Sequence, residues 1–365
     1  MMRPASIRWL LAAVFLSGLA GCASPGRLEP EPLAQDELDQ FLAAGRDARN
    51  YGITTYRDAG GARYEFANRP HPERTAVRAF VSPRHSPVPA IRAKTGTFVD
   101  FTLLLDSSAR QNWLLLPSVK AMDYRPFAPP TGEYPDHVAA DIPGYAGVAN
   151  KIVMDKLHVE SPVFCVPPAR GGFGPLARAG TDGDDPESPR GKLARSTHAV
   201  MGATLLRAFS FVRFDFLARS VFFATSQTYE PPSTANVRAK LPLRDWRGRP
   251  AVQGTLDGEP ILFVLDTAGD FDLSRPGEPG AETGTLALGG LEIGGVRCGT
   301  HTALGLPEDF PARLGLGVLA RYAITLDYKQ QRVWFEENVV PVAEPAGATP
   351  AETGSAPVQY RGIQR

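Results

Sequence analysis

Cysteine is almost missing from this chain. Its three residues, Cys22, Cys165 and Cys298, cannot build a disulfide scaffold, and no Cys-x-x-Cys pair occurs. The six histidines, at 71, 85, 137, 158, 198 and 301, are scattered, and none falls in a His-Glu-x-x-His, Gly-x-Ser-x-Gly or Cys/His context. A Walker loop is absent too. These absences disfavour metal, redox, phosphoryl-transfer and serine or cysteine hydrolase chemistry. There is no surplus of charge: 39 Lys+Arg balance 39 Asp+Glu. Nucleic-acid binders need a basic excess to neutralise phosphates, and acidic solvating chains need the opposite. What is abundant is backbone punctuation, with 36 Gly and 34 Pro in 365 residues, enough chain for one large domain or two ordinary ones. Hydrolysis or binding remains.

Arg3 and Arg8 precede the apolar run Trp9–Gly21, which is too short to span a hydrocarbon core of about 30 Å and has the form of a signal h-region. It ends in Leu19-Ala20-Gly21-Cys22, which resembles the bacterial lipobox. That resemblance implies a signal peptide over 1–21 and lipid attachment at Cys22, with several acyl chains anchoring the protein to a membrane. The alternative is that Cys22 is a small buried residue of the h-region. Ala23, in place of Asp, implies by the same resemblance the outer membrane of the cell envelope, facing the periplasm.

Residues 22–77 read as a tether and a small N-terminal cap. Ser24–Pro32 is Pro-rich, and 34–46 has helical spacing with Leu38, Phe41 and Leu42 on one face. From about Thr75 short apolar runs alternate with Gly, Pro, Asn and Asp, the pattern of an all-β fold. The stretch 167–196 reads as a long surface loop. Its acids Asp182, Asp184, Asp185 and Glu187 lack the Glu eleven positions after Asp182 that a calcium loop needs, since that residue is Leu193. Gly284–Gly295 reads as a hairpin turn, because it lacks the Lys and Ser/Thr of a nucleotide loop. Residues 338–365, rich in Pro, Ala, Gly and Thr, read as a disordered tail.

The chain repeats itself. Pro89–Asp106 lies over Pro250–Asp266, and Met201–Asp215 lies over Leu314–Asp327, each with a one-residue offset. Both copies close on a matching strand, Val221-Phe-Phe223 and Val333-Trp-Phe335. Two blocks in the same order imply a duplicated lobe. Each copy ends a solid apolar strand in an aspartate, Asp106 after Phe101–Leu105 and Asp266 after Ile261–Leu265. A carboxylate there is costly unless paired, hydrogen-bonded or protonated. A pseudo-twofold axis would bring the two together, where they share a proton and divide general-acid and general-base work. For either aspartate alone, the plainer reading is a strand-end Asx turn.

Asp106-Ser107-Ser108-Ala109 and Asp266-Thr267-Ala268-Gly269 resemble the Asp-Thr/Ser-Gly elements of the pepsin and retropepsin aspartic peptidases. Gly202–Phe209 and Gly315–Tyr322 resemble that family's second signature, an apolar strand, Gly and a short helix. The likeness covers about 78–337. It implies an all-β fold of two pseudo-symmetric β-barrel lobes, 78–226 and 244–337, joined by a linker over 227–243, with a cleft between them. It further implies a catalytic pair Asp106 and Asp266, supporting hydroxyls from Ser107 and Thr267, and a flap for which Tyr145 in Gly144–Gly147 is the candidate.

The expected activity is endoproteolysis of extended polypeptides in the envelope by a monomer, without cofactor or metal. The family's third motif residue is Gly, whereas Ser108 and Ala268 stand here, so a peptide- or partner-binding lipoprotein on the same scaffold is the alternative. The peptidase reading asks for adjoining carboxylates with the Ser108 hydroxyl turned away from their shared water. Cys165 and Cys298 occupy equivalent places and read as buried thiols, with a disulfide as the alternative.

Overall fold

The computed structural model describes residues 31–51, 53–58, 61–66, 70, 74–82, 84, 86–127, 144–167, 169–170, 192–193, 196–233, 235–277, 282–302 and 308–337. The signal segment, Cys22, most of the Pro-rich tether, the acids at 182–187 and the tail 338–365 lie outside the described residues. The fold is mostly β, with a half-barrel, a closed barrel and a sheet that both share.

Apolar runs without alternation are the material of strands buried on both faces. Asp100–Leu105 is buried at every residue but the first, and Glu259–Leu265 buries its last three. Each is flanked on one side by a hairpin partner, Ala90–Thr95 or Arg249–Leu256, and on the other by a parallel strand, Ala199–Met201 or Ala312–Leu314. Trp113–Leu114 and Leu273–Arg275 then run antiparallel to those parallel strands. The two repeats therefore build the same core.

The second repeat closes. Thr283–Leu288 pairs with Leu291–Thr300, and returns to Arg249–Leu256 through Thr255↔Ala287 and Leu256↔Leu286. Gly289, at φ +61°, lies in the turn of this hairpin, where a left-handed residue is needed. The first repeat stays open, because the strand corresponding to Leu291–Thr300 is broken into Leu157–Glu160 and Val163–Val166. Ser161 at the break has φ +48° and Pro162 follows it; Gly295 at the corresponding place has φ +66°. Glycine carries the left-handed bend within one strand, whereas Ser-Pro ends the ladder.

A six-stranded antiparallel sheet joins the halves in the order 236–242, 332–337, 322–327, 211–215, 220–224, 75–79. Each repeat supplies three strands, and the seam is Phe211–Asp215 against Tyr322–Asp327, registered Arg213↔Thr325. Asn236–Pro242, read from sequence as part of a linker, is an outer strand of this sheet, and Thr75–Ala79 is the other. Across the seam Arg213 pairs with buried Glu336 at 3.1 Å, and the Tyr229 hydroxyl donates to the same carboxylate. One large hydrophobic cluster runs through both repeats, with two small clusters, around Phe211 and Trp334 and around Val264 and Phe310, beside it.

The helix expected over 34–46 spans Gln35–Ala43. Its Phe41 stacks on Tyr124 at 6.0 Å between ring centroids and meets Tyr145 edge-on at 6.1 Å, so this segment caps the first repeat. Among the described residues no helix is long and apolar enough to cross a membrane.

Candidate active site

Asp106 and Asp266 each follow directly on a core strand, and each is tied down by the neighbouring parallel strand. The Asp106 N–H donates to Met201 O at 3.0 Å and the Asp266 N–H to Leu314 O at 2.8 Å. The loop that follows each aspartate then runs against a glycine. A Cβ on Gly202 would lie 2.1 Å from Gln111 O, and one on Gly315 would lie 2.2 Å from Phe271 O. Both glycines have ordinary φ angles, so close approach is what demands them.

The two loops are cross-linked by their second residues. The Ser107 N–H donates to Thr267 Oγ1 at 3.0 Å, and the Thr267 N–H donates to Ser107 Oγ at 3.2 Å. Each hydroxyl in turn donates a hydrogen bond to the carbonyl before the opposite aspartate: Ser107 Oγ to Leu265 O at 2.6 Å, Thr267 Oγ1 to Leu105 O at 2.9 Å. Four buried, reciprocal bonds thus hold the two aspartate loops together. Ser107 and Thr267, the two hydroxyls that the resemblance singled out, are brought together here.

Both carboxylates are buried, at 0% and 1% exposure. Asp106 Oδ1 accepts three bonds, from the Ser108 N–H at 2.9 Å, the Ser108 hydroxyl at 2.7 Å and the Ala109 N–H at 3.0 Å. Its Oδ2 has no hydrogen-bond partner among the described residues. Asp266 Oδ1 accepts the Ala268 N–H at 3.1 Å, and its Oδ2 accepts Arg313 Nη2 at 2.5 Å. The same Nη2 reaches Ser108 Oγ at 2.6 Å. A bridge therefore runs from Asp106 through Ser108 and Arg313 to Asp266. The Ser108 hydroxyl is not turned away from the pair, as an unencumbered dyad would require.

Burial and the nearby charge of Asp266 push Asp106 up to about 6, against the opposing pull of Arg313, the Ser108 hydroxyl and the Ala109 N–H. At mildly acidic pH Asp106 can hold a proton. The two carboxylates differ in surroundings, since Asp266 Oδ2 is held by Arg313.

Two further arginines stand close by. Arg249, 3% exposed, donates Nε to Ser108 O at 2.8 Å, and its guanidinium lies over the Trp246 and Phe310 rings. Burial, with repulsion from Arg313 and Arg110, pulls its value down to about 9. Arg313 also lies over Phe310, 5.4 Å from the ring centroid. Sequence reasoning missed Arg313 and Arg249, since an arginine in a short strand carries no sign of being buried. Their one legible signal was position: Arg313 precedes Leu314-Gly315 where the first repeat has Val200 before Met201-Gly202.

Tyr145 lies in the strand Tyr145–Val148, buried, with its ring against Phe41 and its carbonyl accepting the Tyr124 hydroxyl at 2.5 Å. The connection preceding it, 128–143, lies outside the described residues. Cys165 and Cys298 hold equivalent positions, beside Trp113 and Leu273 in the parallel pairings, and no disulfide joins them. Cys165 is buried and Cys298 half-buried. His301 forms a buried pair with Ser274, 2.7 Å from Nδ1, while Nε2 faces the Phe310 and Pro311 carbonyls. Nε2 must then carry the proton, and the pair serves to tie loop to strand. The sequence matches no family model and no curated protein.

Proposed function

We propose that the two repeats are aspartic-peptidase-like lobes and that the chain hydrolyses extended polypeptides through Asp106 and Asp266. The observation that carries this reading is the reciprocal Ser107–Thr267 cross-link, which holds two buried aspartates from duplicated loops side by side. Asp106, protonated below about pH 6, donates from Oδ2 to the scissile carbonyl; ionised Asp266 takes the proton of the attacking water. Water addition gives a tetrahedral diol; Asp266 then passes its proton to the amine nitrogen, Asp106 takes one back from a diol hydroxyl, and the C–N bond breaks to leave a carboxylic acid and an amine. Arg313 must leave Asp266 Oδ2 for that water to enter, so the arrangement described is the closed one. In this reading the lipid on Cys22 holds the enzyme in the envelope.

A second reading rests on the Ser108–Arg313 bridge, which occupies the space between the carboxylates. On it the scaffold binds peptides without cleaving them. The test is cleavage of an unfolded protein between about pH 4 and 7 by the purified chain, beside Asp106→Asn and Asp266→Asn. Activity blocked by a statine peptide and lost in each variant supports the peptidase. Inert wild type that still binds the statine peptide supports the receptor, and Ser108→Gly with Arg313→Leu should then restore cleavage if the bridge is the obstacle. An inert chain that binds nothing refutes both.

A further inference from the structure

Arg249, which donates Nε to the Ser108 carbonyl, also lines a polar cavity of about 240 Å³ on which the dyad makes no claim. The cavity lies where the repeats meet. Arg207 comes from the first repeat, and Arg244, Asp245, Arg249, Tyr328 and Gln331 come from the second. Three guanidinium groups face one carboxylate. Asp245 is already engaged, by Arg207 Nη2 at 2.5 Å, and Arg207 also reaches the Gly248 carbonyl at 3.0 Å. Arg244 is exposed and enters none of the ion pairs among the described residues. Tyr328 contributes a buried hydroxyl with no hydrogen-bond partner among the described residues, although buried hydroxyls are nearly always bonded.

We propose that this cavity binds a small oxyanion, a phosphate or the carboxylate of a small organic acid. Planar guanidinium groups match both headgroups with paired N–H donors, and the Tyr328 O–H supplies a further donor from the wall. An occupant held by Arg207 on one side and by Arg244, Arg249 and Tyr328 on the other would fasten the two repeats together. Through Arg249 it would also steady the Ser108 loop. The site stands whether or not the dyad is catalytic.

The test is thermal denaturation and calorimetric titration of the purified full-length chain with inorganic phosphate and with succinate, against chloride at matched ionic strength. The expected result is a saturable rise in Tm with at least one of the two anions, growing with the logarithm of its concentration once the site is filled. Whichever anion binds more tightly identifies the headgroup. Arg244→Ala, an exposed change that should leave the fold intact, should weaken binding tenfold or more, and Tyr328→Phe several-fold. No response beyond chloride would overturn the proposal. So would an unchanged response in Arg244→Ala and Tyr328→Phe, since that marks a general salt effect.

Discussion

Replacing Arg313 by Met keeps most of the side-chain volume and removes the charge. Arg313 Nη2 lies 2.5 Å from Asp266 Oδ2, with side-chain exposures of 6% and 2%, so the loss strands a carboxylate in a dry site. Breaking a buried pair from one side costs about 3–5 kcal/mol, because the remaining charge keeps its desolvation penalty without its partner. The penalty applies only while that carboxylate is ionised. The loss in urea unfolding free energy should therefore be largest near pH 8 and shrink toward pH 4. Asp266→Asn combined with Arg313→Met leaves no stranded charge, and should cost less than Arg313→Met alone at pH 8, roughly 1–2 kcal/mol. The same substitution removes a charge that holds Asp106 down, so Asp106 should titrate above its present value of about 6. Equal destabilisation at both pH values, or additive single and double variants, would refute the reasoning and make Arg313 a packing residue only.

Asp106 itself gives a pH-dependent signature. Its folded value lies above the ordinary 3.8, so the stability it permits is complete below 3.8 and is lost as pH rises through about 6. Between pH 4 and 8 the wild type should lose on the order of 3 kcal/mol relative to Asp106→Asn, measured by denaturant titration. Thr267→Val should strand Leu105 O and the Ser107 N–H, costing about 2–5 kcal/mol. Adding Ser107→Ala should cost less than a second equal increment, because the four bonds act together. Gly202→Ala and Gly315→Ala should each cost more than about 3 kcal/mol or prevent folding, whereas Gly294→Ala, with nothing within 4 Å of the added carbon, should shift Tm little.

The repeat was the legible part of the sequence. Solid apolar runs ending in Asp106 and Asp266 announced buried strands, and their duplication announced two cores built alike. Less legible were residues whose meaning depends on partners far along the chain. Arg313 and Arg249 look like surface charges until the folded chain brings them to Ser108, 205 and 141 residues away. Asn236–Pro242 has a weak alternation, exposed along most of its length, so it passed for a linker although it pairs with Arg332–Glu337. Spacing placed Tyr145 beside a covering loop, but spacing says nothing of the aromatic ring 104 positions earlier, Phe41, against which it packs.

The shared sheet carries a consequence for biosynthesis. The strands 75–79, 211–215 and 220–224 all precede the second repeat in the chain, so a ribosome can deliver a complete first half before its partner exists. In that interval Phe211–Asp215 is an open β edge, presenting unpaired N–H and C=O groups until Tyr322–Asp327 arrives more than a hundred residues later. A nascent or truncated chain ending before that strand has a sticky side that the finished protein hides. In a crowded translation setting the strand best placed to cover it is the same edge of another unfinished copy.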